Sequence, residues 1–373
     1  MVVYLIAFIL TSVFANALAK YGKRIKRTAL PLAEGGKPNT VKRKSGINLT
    51  YILLILLAVF PLFFISAVRY DVGTDYLFTY VPNFYEILAG RNPYAEVGFN
   101  LFNRAIQLFT DNPQWLFVVT SLIFVSLMIM TIVRYSHNVI ISVAVVLFSC
   151  IFFASLNNVR QAVAVVIVFA AIPFIVRGNH FKFILCLLIA YCFHKSAVIM
   201  IFPYIVANSR TIKNYFLPFA IAATLAMPVL CSVLKSVLVN TKYYYYFVSD
   251  FNNGQANHVN IIYNLFFLIV AYVILGNRRK MEKYAYVLLV MQFSAFWISG
   301  VSLFIRISEM ISRITVFFQV FQILLIPYCV SVQRNSANKA AVALFFLAPY
   351  ALYMYYYIIL NNYHAVLPYK WIF

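Results

Sequence analysis

The chain has 373 residues, of which 64% are hydrophobic and only 10% charged, with a mean hydropathy of +0.86. Soluble domains carry about 25% charged residues, so the composition excludes a soluble globular protein and predicts an all-α, polytopic integral membrane protein. A net charge of +21 would point to nucleic acid in a soluble chain. In a membrane chain the position of the cations matters more than their number, and no nucleic-acid partner is expected.

A helix needs roughly 20 apolar residues to cross the hydrocarbon core. In chain order the apolar runs predict about twelve spans in a single transmembrane domain covering 1–373: 2–19, 49–67, 115–133, 138–155, 160–176, 181–194, 196–208, 215–239, 259–275, 284–304, 312–332 and 339–360. The first has no cation before it and a basic block after it, which predicts a signal anchor with its N-terminus outside. The loop 20–48 sets Lys20, Lys23, Arg24, Lys26, Arg27, Lys37, Lys42, Arg43 and Lys44 against Glu34 and is predicted to be cytoplasmic. Alternation from there leaves Arg134, Arg177, Lys182, Arg210, Lys213, the Arg278-Arg279-Lys280 cluster, Lys283, Arg334 and Lys339 inside, and most acids outside. The segments 181–194 and 196–208 are short for spans and read as two spans, one long helix, a broken helix or a tight hairpin. Merging them into one span would put the Arg278 cluster outside, so two are favoured. Cys150, Cys186, Cys192, Cys231 and Cys329 all lie in apolar runs without a paired CxxC and read as small core hydrophobes.

Function is sought on the outer face. The loop 68–114 is long for a connection without structure of its own, and its aromatic and polar mixture predicts short interfacial helices. It opens with Arg69-Tyr70-Asp71-Val72-Gly73-Thr74-Asp75-Tyr76. That stretch is either an interfacial ion-pair network or a turn at Gly73 that aims Asp75 inward as a general base. Glu96 is a second carboxylate candidate, although its spacing fits a surface acid better. Arg160 either snorkels to headgroups or, with Asn157, Asn158 and Gln161 beside it, belongs to a polar pocket. Arg306, Glu309 and Arg313 share one face if they lie in one helix. They form a structural ion pair or leave a spare guanidinium, a group suited to phosphate oxygens. His194, next to Lys195 and Ser196 at a helix break, is either structural or functional, while His137 and His180 fall inside as bystanders. The Tyr243 to Tyr246 run reads as an interface belt or a sugar-stacking platform. There is no metal-ligand spacing, P-loop or Gly-rich dinucleotide motif, so neither a metal nor a cofactor is expected.

Several of these motifs, taken in order, resemble the EpsG-like branch of the Wzy-type bacterial polysaccharide polymerases. They are Arg69 followed by Val72-Gly73-Thr74-Asp75-Tyr76 with Tyr80 beyond, Glu96-Val97-Gly98-Phe99, Asn158-Val159-Arg160-Gln161-Ala162-Val163-Ala164, His194-Lys195-Ser196-Ala197, Arg313 opening a late span, and the Leu367-Pro368-Tyr369-Lys370 tail. The resemblance implies a GT-C-like membrane glycosyltransferase of O-antigen, capsule or exopolysaccharide synthesis in the bacterial inner membrane, with its active site facing the periplasm or cell exterior. It implies undecaprenyl diphosphate-linked oligosaccharides as donor and acceptor, membrane lipid around them and a chain-length regulator as a further partner. A growing glycan would pass from its carrier to the non-reducing end of another lipid-linked repeat unit. The leaving diphosphate needs fixed cations, for which Arg160 and Arg313 come first and Arg69 and Arg306 next. The acceptor hydroxyl needs a base, with Asp75 favoured over His194 and Glu96. Gly73, Thr74, Tyr76, Gln161 and Ser196 would support the site. An O-antigen ligase-like transferase shares the donor and the clamp. A flippase or transporter would carry charges nearer mid-membrane, often with an internal repeat; no repeat is seen, and the cations cluster at one outer boundary.

Overall fold

The computed structural model describes residues 1–28, 48–239, 241, 244, 256–276 and 281–373. Most of the basic loop 20–48, the Arg278-Arg279-Lys280 cluster, Lys242, Asp250 and most of the Tyr243 to Tyr246 run lie outside the described residues. Among the described residues the regular structure is helical, with one isolated antiparallel bridge between Arg69 and Trp371.

Helices α1 (Val2–Thr28) and α2 (Leu49–Ala67) pack along each other, and the loop after them holds α3 (Val81–Leu88) and α4 (Val97–Gln107). Next come α5 (Gln114–Tyr135), a bent pair α6 (Val139–Phe148) and α7 (Ile151–Asn157), and α8 (Val159–Ala170) continuing into α9 (Ile172–Arg177). Then follow α10 (His180–Phe193), a 3₁₀ segment Lys195–Met200, α11 (Ile201–Asn208), the short α12 (Arg210–Asn214), and a second bent pair, α13 (Phe216–Leu225) and α14 (Met227–Val239). The chain ends with α15 (His258–Gly276), α16 (Lys283–Ile305), a third bent pair α17 (Ser308–Gln319) and α18 (Gln322–Ser331), and α19 (Ser336–Met354), which widens into a π-helical turn at Tyr355–Leu360. Among the described residues seven helices are long and apolar enough to cross a membrane, or ten if each bent pair is one crossing. Two further apolar segments, 180–193 and 195–208, are shorter than these, so the structure gives seven to ten long apolar crossings where about twelve spans were expected.

Those two segments form a hairpin. The His180 ring nitrogen lies 2.8 Å from the Tyr204 hydroxyl, and the Phe183 and Tyr204 rings stack 3.9 Å apart. The chain therefore climbs to His194 and returns beside itself. His194 is extended (φ −156°, ψ 117°) and forms the tip.

The crossings alternate between two ends of the bundle. At one end, α2, α6, α10, α12 and α19 all start on an Asn or Ser N-cap (Asn48, Asn138, Asn179, Ser209 and Asn335) whose side chain accepts from a backbone amide three residues on. Such caps satisfy amides that the helix cannot. The other end carries the loop 68–113 and the C-terminal tail. Tyr4, at the start of α1, donates to the Val366 carbonyl there (3.0 Å), which agrees with an N-terminus at the loop end.

Lipid is as apolar as leucine, so packing and polar contacts hold membrane helices together. Here an amide chain links α15, α16 and the α17–α18 pair. Gln322 donates to Asn264 (3.1 Å) and Gln292 (2.8 Å), Gln292 donates to the Asn264 carbonyl (2.9 Å), and Gln319 donates to Asn260 (2.6 Å). Each such contact contributes roughly 0.6–2 kcal/mol in a bilayer. Irregular backbone at membrane depth is tolerated where it is buried or lines a cavity. Two of the three bends obey this: Cys150, in the left-handed region (φ 62°) between α6 and α7, and Gln319, at the end of α17, both line the same cavity.

Candidate active site

The turn at the start of the outer loop is fixed by close approach. Gly73 has φ +95°, and a Cβ placed on it would sit 2.8 Å from the Leu156 carbonyl oxygen at the end of α7. Only glycine fits so near another backbone at that angle. The contact lets Asn157 hold the turn, its side-chain oxygen accepting from the Thr74 hydroxyl and from the Asp75 amide, both at 2.8 Å. The Gly73 amide donates to the Ala365 carbonyl of the tail (3.1 Å). Asp75 precedes a π-helical turn, Tyr76–Tyr80, a geometry often found at functional sites. Tyr76 stacks on Phe117 (4.2 Å) and donates to Gln114 (2.5 Å). Burial raises the pKa of the half-buried Asp75 carboxyl above the usual carboxylate range, against the downward pull of Arg313 and Arg160.

A second group forms beside it. Arg160, at the start of α8, pairs with Glu96 at 2.6 Å and lies over the Tyr94 ring at 4.7 Å. Glu96 is buried, which corrects the surface-acid expectation: it stands at the N-cap position of α4, where its side chain makes no capping bond and its carboxylate meets the arginine. Gly98 makes this possible, since a Cβ there would lie 2.5 Å from Cys192 Cβ, so α4 can rest directly on the end of α10. That contact brings His194 Nδ1 to 3.8 Å from Glu96. The distance is too long for a hydrogen bond, and burial together with Arg160 lowers the His194 pKa to about 4. His194 is thus a neutral imidazole whose Nδ1 has no hydrogen-bond partner among the described residues.

A cavity of about 560 Å³ opens next to both groups, in the ordinary range for a ligand pocket. Thr74, Asn157, Asn158 and Gln161 line it on this side. Gln161 donates to the Arg313 backbone carbonyl, which ties α8 to α17. Arg313 lines the cavity, is exposed, and has no ion-pair partner among the described residues. The far lining comes from α15, α17 and the end of the chain. There Asn257 donates to Ser312 (3.1 Å), and Tyr363 donates to Glu309. His364 also lines the cavity, its Nδ1 buried and without a hydrogen-bond partner among the described residues; burial and Arg313 lower its pKa to about 4.

Asp75, Glu96, Arg160, His194 and Arg313 therefore come together from five separate parts of the chain. Arg69 and Arg306 do not join them. The Arg69 guanidinium is fully buried, donates to the Ser66 and Leu156 carbonyls and the Ser121 hydroxyl, and packs over Phe117 at 4.7 Å. It is a strut that closes the end of α2. Arg306 was expected on one helical face with Glu309 and Arg313. Instead α16 ends before it, and it sits exposed in the left-handed region (φ 54°) ahead of α17. Glu309 pairs with Tyr363 rather than with either arginine. Ser196 is half-buried in the 3₁₀ segment. Sequence reasoning gave no role to Asn257, Ser312, Tyr363 or His364. Their only signal was polarity at the ends of apolar runs, shared by many residues without a role. Among the described residues no three His, Cys, Asp or Glu side chains form a metal-ligating group.

The bundle and this cavity define a polytopic, all-helical membrane protein with an amide- and tyrosine-lined pocket at one end that holds Arg313 and Glu309. A family model described as the EpsG family matches residues 52–371, and the chain belongs to that family of membrane polysaccharide polymerases. Neither the curated proteins nor the solved structures contain a match.

Proposed function

We propose that the protein extends a bacterial polysaccharide on the outer side of the inner membrane, transferring a growing glycan from undecaprenyl diphosphate to the non-reducing end of another lipid-linked repeat unit. The observation that carries this reading is a cavity lined by Arg313, with Asp75 and Arg160 just behind its wall. Asn157, which holds the Asp75 turn, and Gln161, next to Arg160 and bonded to the Arg313 carbonyl, both line it, and both arginines act on the Asp75 carboxyl. In the reaction the anomeric C–O bond to the diphosphate breaks, the acceptor oxygen bonds to that carbon, and the acceptor proton goes to a base. Charge develops on the leaving diphosphate, where fixed guanidinium groups stabilise it. Arg313 leads, because its charge is not already neutralised. Arg160 assists while Glu96 holds it in place. Asp75 takes the proton: its raised pKa brings it closer to neutral pH, which favours a general base. His194 is neutral and able to accept a hydrogen bond, so it orients the acceptor or donor beside the pair.

The test is reconstituted protein in vesicles with lipid-linked repeat units, scored for laddered glycan. A ladder that Asp75→Asn abolishes while carrier binding persists supports this assignment. A single transfer to another acceptor would make the protein a ligase, and movement of the lipid without a new bond would make it a flippase. Full turnover by Asp75→Asn would move the base to His194.

A further inference from the structure

Arg313 and the amides of Asn157, Asn158 and Gln161 account for only one side of the cavity. Toward the C-terminus its lining changes in chemistry. Tyr353 and Tyr357 stand one turn apart with ring centroids 4.3 Å apart and tilted by 31°, and Tyr363 meets Tyr357 edge-on at 5.6 Å. The π-helical turn Tyr355–Leu360 inserts an extra residue here, and the Tyr363 amide donates back to the Tyr357 carbonyl (2.9 Å). That fold-back sets the third ring beside the other two. Next to the rings, Ser312 accepts from Asn257 and Glu309 accepts from Tyr363; among the described residues the Ser312 proton and the second Glu309 oxygen have no further partner. The buried Nδ1 of His364 is also at this wall.

We propose that this wall is a glycan subsite, separate from the diphosphate clamp, that takes an uncharged pyranose ring of the repeat unit. The inference rests on the polymerase reading and deepens it. Ring faces of tyrosine offer apolar area to the C–H face of a sugar, and tyrosine carries a polar end that hydrogen-bonds at the rim, as Tyr363 does to Glu309. Asn257, Ser312, Glu309 and His364 supply donors and acceptors for hydroxyls at the rim. Glu309 has no ion-pair partner among the described residues, so a uronic acid carboxylate beside it would meet a like charge. Ser312 and Arg313 follow each other in α17 and both line the cavity, so a glycan on the tyrosines would reach the clamp without leaving it.

Two probes separate the walls, using full-length protein in nanodiscs: undecaprenyl diphosphate without sugar, and the carrier-free oligosaccharide released by mild acid from the host's own lipid-linked repeat unit. Tyr357→Ala is expected to weaken oligosaccharide binding about tenfold, as loss of a ring contact of roughly 1.4 kcal/mol would, and to leave carrier binding within twofold. Tyr357→Phe, which keeps the ring, should rescue the loss. Arg313→Ala should show the reverse pattern. Wild-type oligosaccharide affinity in Tyr357→Ala overturns the subsite, as does equal loss of both probes that Tyr357→Phe does not rescue. Ladder formation by the wild type is measured on the same preparation. A wild type that makes ladders while Tyr357→Ala keeps its KM for the lipid-linked unit removes the subsite and leaves the polymerase standing. A wild type that binds the oligosaccharide on these rings yet makes no ladder does the opposite.

Discussion

Arg69 and Arg313 carry the same guanidinium, and their surroundings give them different work. Arg69 is buried against three oxygen acceptors, and hydrogen bonds to a charged group contribute about 1.5–3 kcal/mol. Arg69→Ala should therefore lower the thermal midpoint in detergent markedly. Arg313 is exposed to the cavity without an ion pair among the described residues, so Arg313→Ala should leave stability within about 0.5 kcal/mol. Chain extension should nonetheless fall about a hundredfold or more, the loss expected for one fixed group that stabilises a developing anion. Near wild-type ladders from Arg313→Ala would remove the clamp. The histidines give a pH signature. His194 and His364 have folded pKa values of about 4, below the ordinary 6.5, so the unfolded chain binds more protons between those values. Stability should be full above pH 6.5, fall as pH drops toward 4 and level off below. Asp75, raised by burial, acts in the opposite sense. Melting curves of a His194→Gln/His364→Gln variant should flatten across this window; an unchanged slope would mean that neither imidazole is held neutral.

At the scale of elements, two glycines decide whether the site assembles. Gly73→Ala would place a Cβ 2.8 Å from the Leu156 carbonyl at a positive φ, and Gly98→Ala would place one 2.5 Å from Cys192. Neither neighbour is the free end of a flexible side chain. Gly98→Ala should push α4 off α10, separate Glu96 from Arg160 and His194, and cut extension strongly while the protein still inserts. Normal turnover would show that the Glu96 pair is dispensable. Much of this level was legible in the sequence. The spans follow from runs of apolar residues, and a turn at Gly73 was expected from the residue's freedom at positive φ. The hairpin tip at His194 was one of several readings that hydropathy left open, because the contact of His180 with Tyr204 that closes it is tertiary. The bends at Cys150 and after Gln319 were hidden for the same reason: a left-handed cysteine has no local signal. Arg306, Glu309 and Arg313 misled because their spacing assumes an unbroken helix, whereas α16 ends before Arg306. Glu96 misled because nothing local reveals that Gly98 lets its helix sink against α10.

At the scale of the molecule, the C-terminal tail locks the site end of the bundle. The Tyr70 and Gly73 amides donate to the Lys370 and Ala365 carbonyls, and Ile372 donates to Val68. The Lys370–Asp71 ion pair (2.7 Å) is exposed and contributes no more than about 1 kcal/mol, so the backbone pairing does most of the fastening. The distribution of charge gives the whole bundle its direction. Arg134, Arg177, Lys182, Arg210, Lys213, Lys283, Arg334 and Lys339 stand at the end away from the cavity, and positive residues in short connections are retained in the cytoplasm. The cavity end should therefore face outward. In a variant with the five cysteines replaced by alanine, Arg91→Cys in the outer loop should react with a membrane-impermeant maleimide on intact cells. Lys339→Cys, at the start of α19, should react only after permeabilisation. Both positions are exposed, so a lack of labelling would report sidedness rather than burial. The reverse pattern would open the cavity to the cytoplasm, where lipid-linked repeat units awaiting export could not be joined on the outer leaflet.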